Sequence, residues 1–186
     1  LIMNKILILC FLNISLFTGN FLVDNKNALI DNDSKNANEK KLNQRLFVIE
    51  RNMNKNTVCY DANIQNNGTL NLDNPIDAYW MDYATDGKRS ELSYIQRRMA
   101  YGFSFEKTSL GNIYLTLKAF DKRKILVLID SKGNSHAVIK INGADAYLSK
   151  IYVTAKPKMY TTVEFIELFG NETKTGKAVY EKIVNL

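Results

Sequence analysis

The side chains best suited to gripping a ligand fall in three short stretches. Tyr79, Trp80 and Tyr83 form one aromatic run, Arg97 and Tyr101 follow it, and Glu50, Arg51 and Asp61 lie in two apolar segments further upstream. Tyr and Trp combine a broad apolar face with one polar tip, so they enclose pockets well. With Arg97 nearby, such a set would hold a small anionic or amphipathic molecule. The competing use of the same rings is core packing. Glu50, Arg51, Asp61 and Arg97 have the charges of an ion-pair network, which would either tie a helix to a sheet or face a ligand.

Other chemistry finds little support. The chain has one histidine, His136, and two cysteines, Cys10 and Cys59. The common zinc sets need more His and Cys than that. A Ser-His-Asp triad would have to use His136, and no Gly-x-Ser-x-Gly elbow accompanies it. No phosphate-cradling glycine loop is present. Paired carboxylates are the one enzyme chemistry left open, yet Asp77 and Asp82 differ in strand parity, as do Glu164 and Glu167. No catalytic residue, metal ligand or cofactor is therefore assigned. Cys59 sits in the strand-like run Thr57-Val58-Cys59-Tyr60 and reads as a buried thiol.

The elements that must position these residues are mostly strands. Val58, Tyr60, Ala62 and Ile64 alternate with polar neighbours, the period of a half-buried strand. Ile76 to Tyr83 reads as another strand, and Ile125 to Ile129 is continuously apolar. Asn142-Gly143 is the strongest hairpin signal, and Gly111-Asn112 and Asp130 to Asn134 mark further turns. Tyr147, Ile151 and Val153 share one strand face by parity, and Pro157 stops that strand. One helix is expected over 90–101, capped by Ser90, with Leu92, Ile95 and Met99 as its buried stripe and Gly102 at its end. The expected fold is mainly β: a single antiparallel β-barrel or β-sandwich of about ten short strands with that one helix.

The chain has 186 residues, 46% of them hydrophobic, which suffices for one domain with a substantial core. Ten Tyr and nine Phe against one Trp favour strands. The net charge of +6 is scattered, with no basic stripe and stacking aromatics on a known module, so nucleic acid is not an expected partner. Met3-Asn4-Lys5 precedes a mostly apolar run from Ile6 to Phe17, the layout of a secretory signal peptide over 1–20. Uncleaved, the same segment would be the chain's only membrane contact. The Asn-, Lys- and Asp-rich stretch 21–45 reads as a tether, and 46–186 as the domain. Once Cys10 is removed with the signal, Cys59 has no intrachain partner for a disulfide.

Several segments carry a family likeness. Leu46 to Arg51, Cys59 to Asn63, Pro75 to Trp80, Arg97 to Gly102 and Val163 to Gly170 resemble a bacterial domain-of-unknown-function family of small exported proteins, over roughly residues 46 to 183. The resemblance implies an envelope setting and no activity, so it transfers no catalytic residue. The function expected is that of an exported, non-enzymatic binding or interaction domain of the periplasm or cell envelope, its partner a small molecule or an envelope component. The alternatives are a carboxylate-based hydrolase of envelope glycans and a structural envelope component.

Overall fold

A computed structural model describes residues 44–156 and 162–184. The expected signal peptide and nearly all of the expected tether, with Cys10 and Pro157, lie outside these residues.

The described residues form eleven strands and one helix. In order they are β1 (Arg45–Arg51), β2 (Asn54–Ala62), β3 (Ile76–Met81), β4 (Arg89–Glu91), α1 (Tyr94–Met99), β5 (Phe103–Lys107), β6 (Ile113–Leu117), β7 (Phe120–Ile129), β8 (Ser135–Ile141), β9 (Ala144–Lys156), β10 (Thr162–Glu172) and β11 (Ala178–Val184). The hairpins form where turn chemistry calls for them. Asn142 and Gly143 both adopt positive φ, 48° and 85°, as a type I′ turn between β8 and β9 requires. Between β7 and β8, the Asp130 carboxylate accepts the amides of Lys132 and Asn134, each at 2.9 Å.

All eleven strands belong to one sheet, and β9 organises it. Tyr147 of β9 pairs with Val138 of β8 and with Asn171 of β10. Further along, Lys150 pairs with Val48 of β1 and with Phe169 of β10. Thus β10 holds one edge of β9, while β8 and β1 share the other edge end to end. One arm of the sheet runs from β1 through β2 and β3 to β4, a second from β8 through β7 and β6 to β5, and a third is β10–β11.

The result is a curled, open half-barrel rather than the closed barrel or two-layer sandwich expected. The reason lies in β9. Its 13 residues are long enough for two arms to bond the same edge, which forks the sheet instead of closing it. The β1–β9 pair is also parallel, so the sheet is not purely antiparallel.

The inner face holds the core. Phe47 stacks on Tyr60 with ring centroids 4.6 Å apart, and Ile113, Leu115, Ile125, Val127, Ile141 and Leu168 are fully buried around them. Each large hydrophobic side chain of this kind contributes on the order of 1.5–3 kcal/mol when fully buried. β2 is buried on both faces from Thr57 to Ala62, because its outward side is covered as well.

The helix is shorter than expected and does not bury the stripe assigned to it. Arg89 to Glu91 continue the sheet as β4, with Ser90 opposite Trp80, so Ser90 cannot serve as an N-cap. The cap is Ser93, in a reciprocal capping box with Gln96. Leu92 is buried ahead of the helix, but Ile95 and Met99 are 57% and 37% exposed. Gly102 is held for steric reasons: a Cβ there would lie 1.6 Å from the carbonyl oxygen of Arg97. No helix among the described residues is long and apolar enough to cross a membrane.

Candidate functional site

The inner face of the half-barrel encloses a cavity of about 60 Å³ between β1, β9, β10 and the β6–β7 turn. Strand periodicity builds its wall. Phe47, Ile49 and Arg51 alternate onto the inner face of β1, Ile49 lies beside Ile151 and Arg51 beside Val153, and Val153 in turn pairs with Ile166. Phe120, Ala119 and Leu117 close one side, and Ala100 and Tyr101 contribute from the end of α1. Among the described residues in the wall there is one charged side chain, Arg51, and no carboxylate.

Arg51 contacts Asn54, Tyr101 and Trp80. Its Nε donates to Asn54 Oδ1 at 3.1 Å, and an Nη1 hydrogen bond runs to the Tyr101 hydroxyl. Its guanidinium carbon sits 4.5 Å from the centre of the Trp80 ring and 5.7 Å from that of Tyr101. The two rings meet edge to face at 5.1 Å and 75°. These cation–π contacts suit a planar, weakly hydrated guanidinium. Burial pulls Arg51 below its ordinary pKa, and the Tyr101 hydroxyl offsets part of that. Burial pushes the Tyr101 hydroxyl up, so it stays a neutral phenol at physiological pH. The ring is fixed from behind, because the Tyr60 hydroxyl donates to the Tyr101 carbonyl at 2.7 Å.

The opposite, outer face of β1–β4 carries a separate charge network. Asp61, 1% exposed, accepts from Arg45 and from the Tyr79 hydroxyl, the latter at 2.7 Å. Arg45 Nη2 also donates to the Tyr79 oxygen at 3.0 Å. Arg89 lies 3.9 Å over the Tyr79 ring, bonds Asp77 through two nitrogens at 2.9 and 3.0 Å, and reaches Glu91 at 2.9 Å. Glu91 then pairs with Arg97 at 2.6 Å. Burial and the Asp61 carboxylate hold the Tyr79 hydroxyl well above its ordinary pKa, so it acts as a donor and not as a base. Burial pushes the neighbouring Cys59 thiol up to about 11, which leaves it protonated and unreactive.

Of the eight residues expected at a binding site, the fold brings Arg51 and Tyr101 into the cavity wall, with Trp80 directly behind them. Trp80 is 6% exposed, and its Nε1 donates to Gln96 at 3.1 Å. Tyr79 and Asp61 lie on the other face. Glu50 also points outward and pairs with Lys150 at 3.2 Å, and Tyr83 is 55% exposed beyond the end of β3.

The Arg97 side chain is 45% exposed and bound to Glu91, so it does not line the cavity with Arg51; its link to Asp61 is indirect, through Glu91, Arg89 and Tyr79. Trp80, buried in the core, and Arg97, on the surface, therefore do not face one concavity. The short helix stays on the surface, and β3 turns Trp80 into the core. His136 is half-buried: it contacts Asp130 at 3.0 Å, and its ring packs against that of Tyr147 at 4.4 Å.

The cavity residues that sequence reasoning missed are mostly aliphatic: Ile49, Met53, Phe120, Val163 and Ile166. Their types mark core, and only the fork at β9 makes part of that core a cavity. Tyr147 leaves the face it shares by parity with Ile151 and Val153, because a register shift against Phe169 and Gly170 displaces the strand by one residue.

The fold and this site define a single-sheet β domain with a small, cation-bearing inner cavity. The chain belongs to the family described as domain of unknown function DUF4833, whose family pattern matches residues 47–182. No curated protein and no solved structure matches it.

Proposed function

We propose that the domain is a non-catalytic binding module of the exported or envelope-associated kind, which holds a small, largely apolar molecule in the inner cavity. The observation that carries this reading is the composition of the wall: aliphatic and aromatic side chains with one guanidinium and one phenol, and no carboxylate among the described residues. Apolar concavities with few polar groups are the usual form of small-molecule sites. Glycan hydrolysis by two carboxyl groups requires a facing pair, and this wall supplies none. The apolar segment with its leading lysine at residues 5–17 supports export.

Native mass spectrometry of the protein recovered from its own envelope tests the reading. A bound small molecule is expected in the native chain. It should be lost in Ala119→Leu, whose longer side chain fills the cavity. An empty native protein, or a molecule retained equally by the variant, contradicts it. N-terminal sequencing of the same preparation tests export, which an intact Met3 start would contradict.

A further inference from the structure

Arg51 and Tyr101 do more than line an apolar cavity. Tyr101 is 7% exposed, and its hydroxyl accepts a hydrogen bond from Arg51. Accepting there leaves the phenol its own proton to donate, and Tyr101 lines the cavity. Beside it stands a guanidinium, a planar fork of donors shaped for carboxylate. The phenol proton and the fork belong to adjacent groups in the wall of one cavity, and both favour an acceptor with negative charge.

We propose that the cavity ligand is a small organic carboxylate whose carboxyl group is bound jointly by the Arg51 guanidinium and the Tyr101 hydroxyl, its short apolar body lying against Ile49, Ile151, Val153 and Phe120. This rests on the cavity reading above and adds the chemical class of the ligand. Binding involves no covalent step. The carboxylate accepts from Arg51 and from Tyr101, and Trp80 backs the guanidinium from the other side. The cavity volume of about 60 Å³ limits the body to a few carbons. The low polarity around the guanidinium strengthens its pairing with an anion relative to water.

The protein carries its own reporter. Trp80 is the single tryptophan of the chain and lies 4.5 Å from the guanidinium. Titrating the full chain with butanoate, pentanoate and hexanoate, each against its uncharged amide, while following tryptophan fluorescence decides the matter. A saturable change is expected with the carboxylates. The amides should bind about ten-fold more weakly or worse, the loss typical of one charged hydrogen bond. Tyr101→Phe should weaken carboxylate binding several-fold and leave amide binding unchanged. Arg51→Met should remove the difference between acid and amide. Circular dichroism confirms that each variant is folded, and Tyr101→Phe keeps the ring and serves if Arg51→Met fails to fold. Equal binding of acid and amide overturns the carboxylate proposal and leaves the cavity reading standing. Absence of binding by both overturns the two together.

Discussion

The guanidinium of Arg123 on β7 bonds the carboxylate of Glu181 on β11 through two nitrogens, at 2.7 and 2.6 Å. Glu181 also accepts the amide of Asn142, at 2.6 Å, from the turn between β8 and β9. This is where the β10–β11 arm is tied across the inner face to the β7–β8 arm. The sheet is forked and open, so these bonds do part of the work that ladder pairing does in a closed barrel. Arg123 and Asn142 hold the Glu181 carboxyl below the usual carboxylate range, with the Arg123 hydrogen bond the largest influence.

Glu181→Gln is therefore expected to lower stability by about 1–2 kcal/mol at neutral pH, between the values for exposed pairs and for charged hydrogen bonds. Because the folded pKa lies below the unfolded value of about 4.3, the contribution is complete above that value. It is lost as pH falls through the folded pKa. Urea midpoints at pH 7 and pH 3 check this: the difference between native and variant should shrink at the lower pH.

Asp61 should be the most sensitive charged position. It is 1% exposed, and its partners Arg45 and Tyr79 would be left facing a gap. Asp61→Ala is expected to cost about 3–5 kcal/mol, the usual consequence of removing one partner from a buried pair. Chemical denaturation of the purified variant measures it, and a cost below about 1 kcal/mol would show that the network adds nothing to the fold.

Cys59 is buried, with its thiol raised to about 11. In native protein at pH 8 it should react with an aromatic disulfide reagent only as fast as the chain unfolds. Added denaturant should accelerate the reaction in step with the loss of structure. Rapid labelling of folded protein would contradict the burial.

Two glycines separate steric from conformational demands. Gly143 has φ of +85° and open space around its missing Cβ, so Gly143→Ala is expected to cost about 1–2 kcal/mol through the left-handed backbone alone. Gly102→Ala must move the Arg97 carbonyl, which stands 1.6 Å from the added atom. It should cost more, and it should displace Tyr101 next to it. Thermal melts of the pair should rank Gly102→Ala the less stable, with a changed Trp80 emission.

Local structure was the legible part of this chain. Asn142-Gly143, Asp130 to Asn134 and the alternation of Val58, Tyr60 and Ala62 announced their turns and strands, because each depends on residues a few positions apart. The fork at β9 was not legible. Nothing in Ala144 to Lys156 says that its upstream half bonds β8 and its downstream half bonds β1, since that choice is made by strands far away in sequence. The helix boundary shifted for a similar reason: Ser90 has the chemistry of a cap, but pairing with Trp80 claims it for the sheet. At the site, the chemistry-bearing types Arg51, Tyr101 and Trp80 stood out in the sequence. Their association with each other rather than with Arg97 depends on which face of β1 and β3 is inward.

The most direct test of the central claim is a methyl NMR titration of the folded chain with pentanoate. The inner cavity predicts saturable shifts at the methyls of Ile49, Ile151, Val153, Val163 and Ile166, all of which line it. Val48 and Val184, on the other face of the sheet or at its edge, should not move. Shifts confined to Val48 and Val184, or none at millimolar pentanoate, would contradict the account.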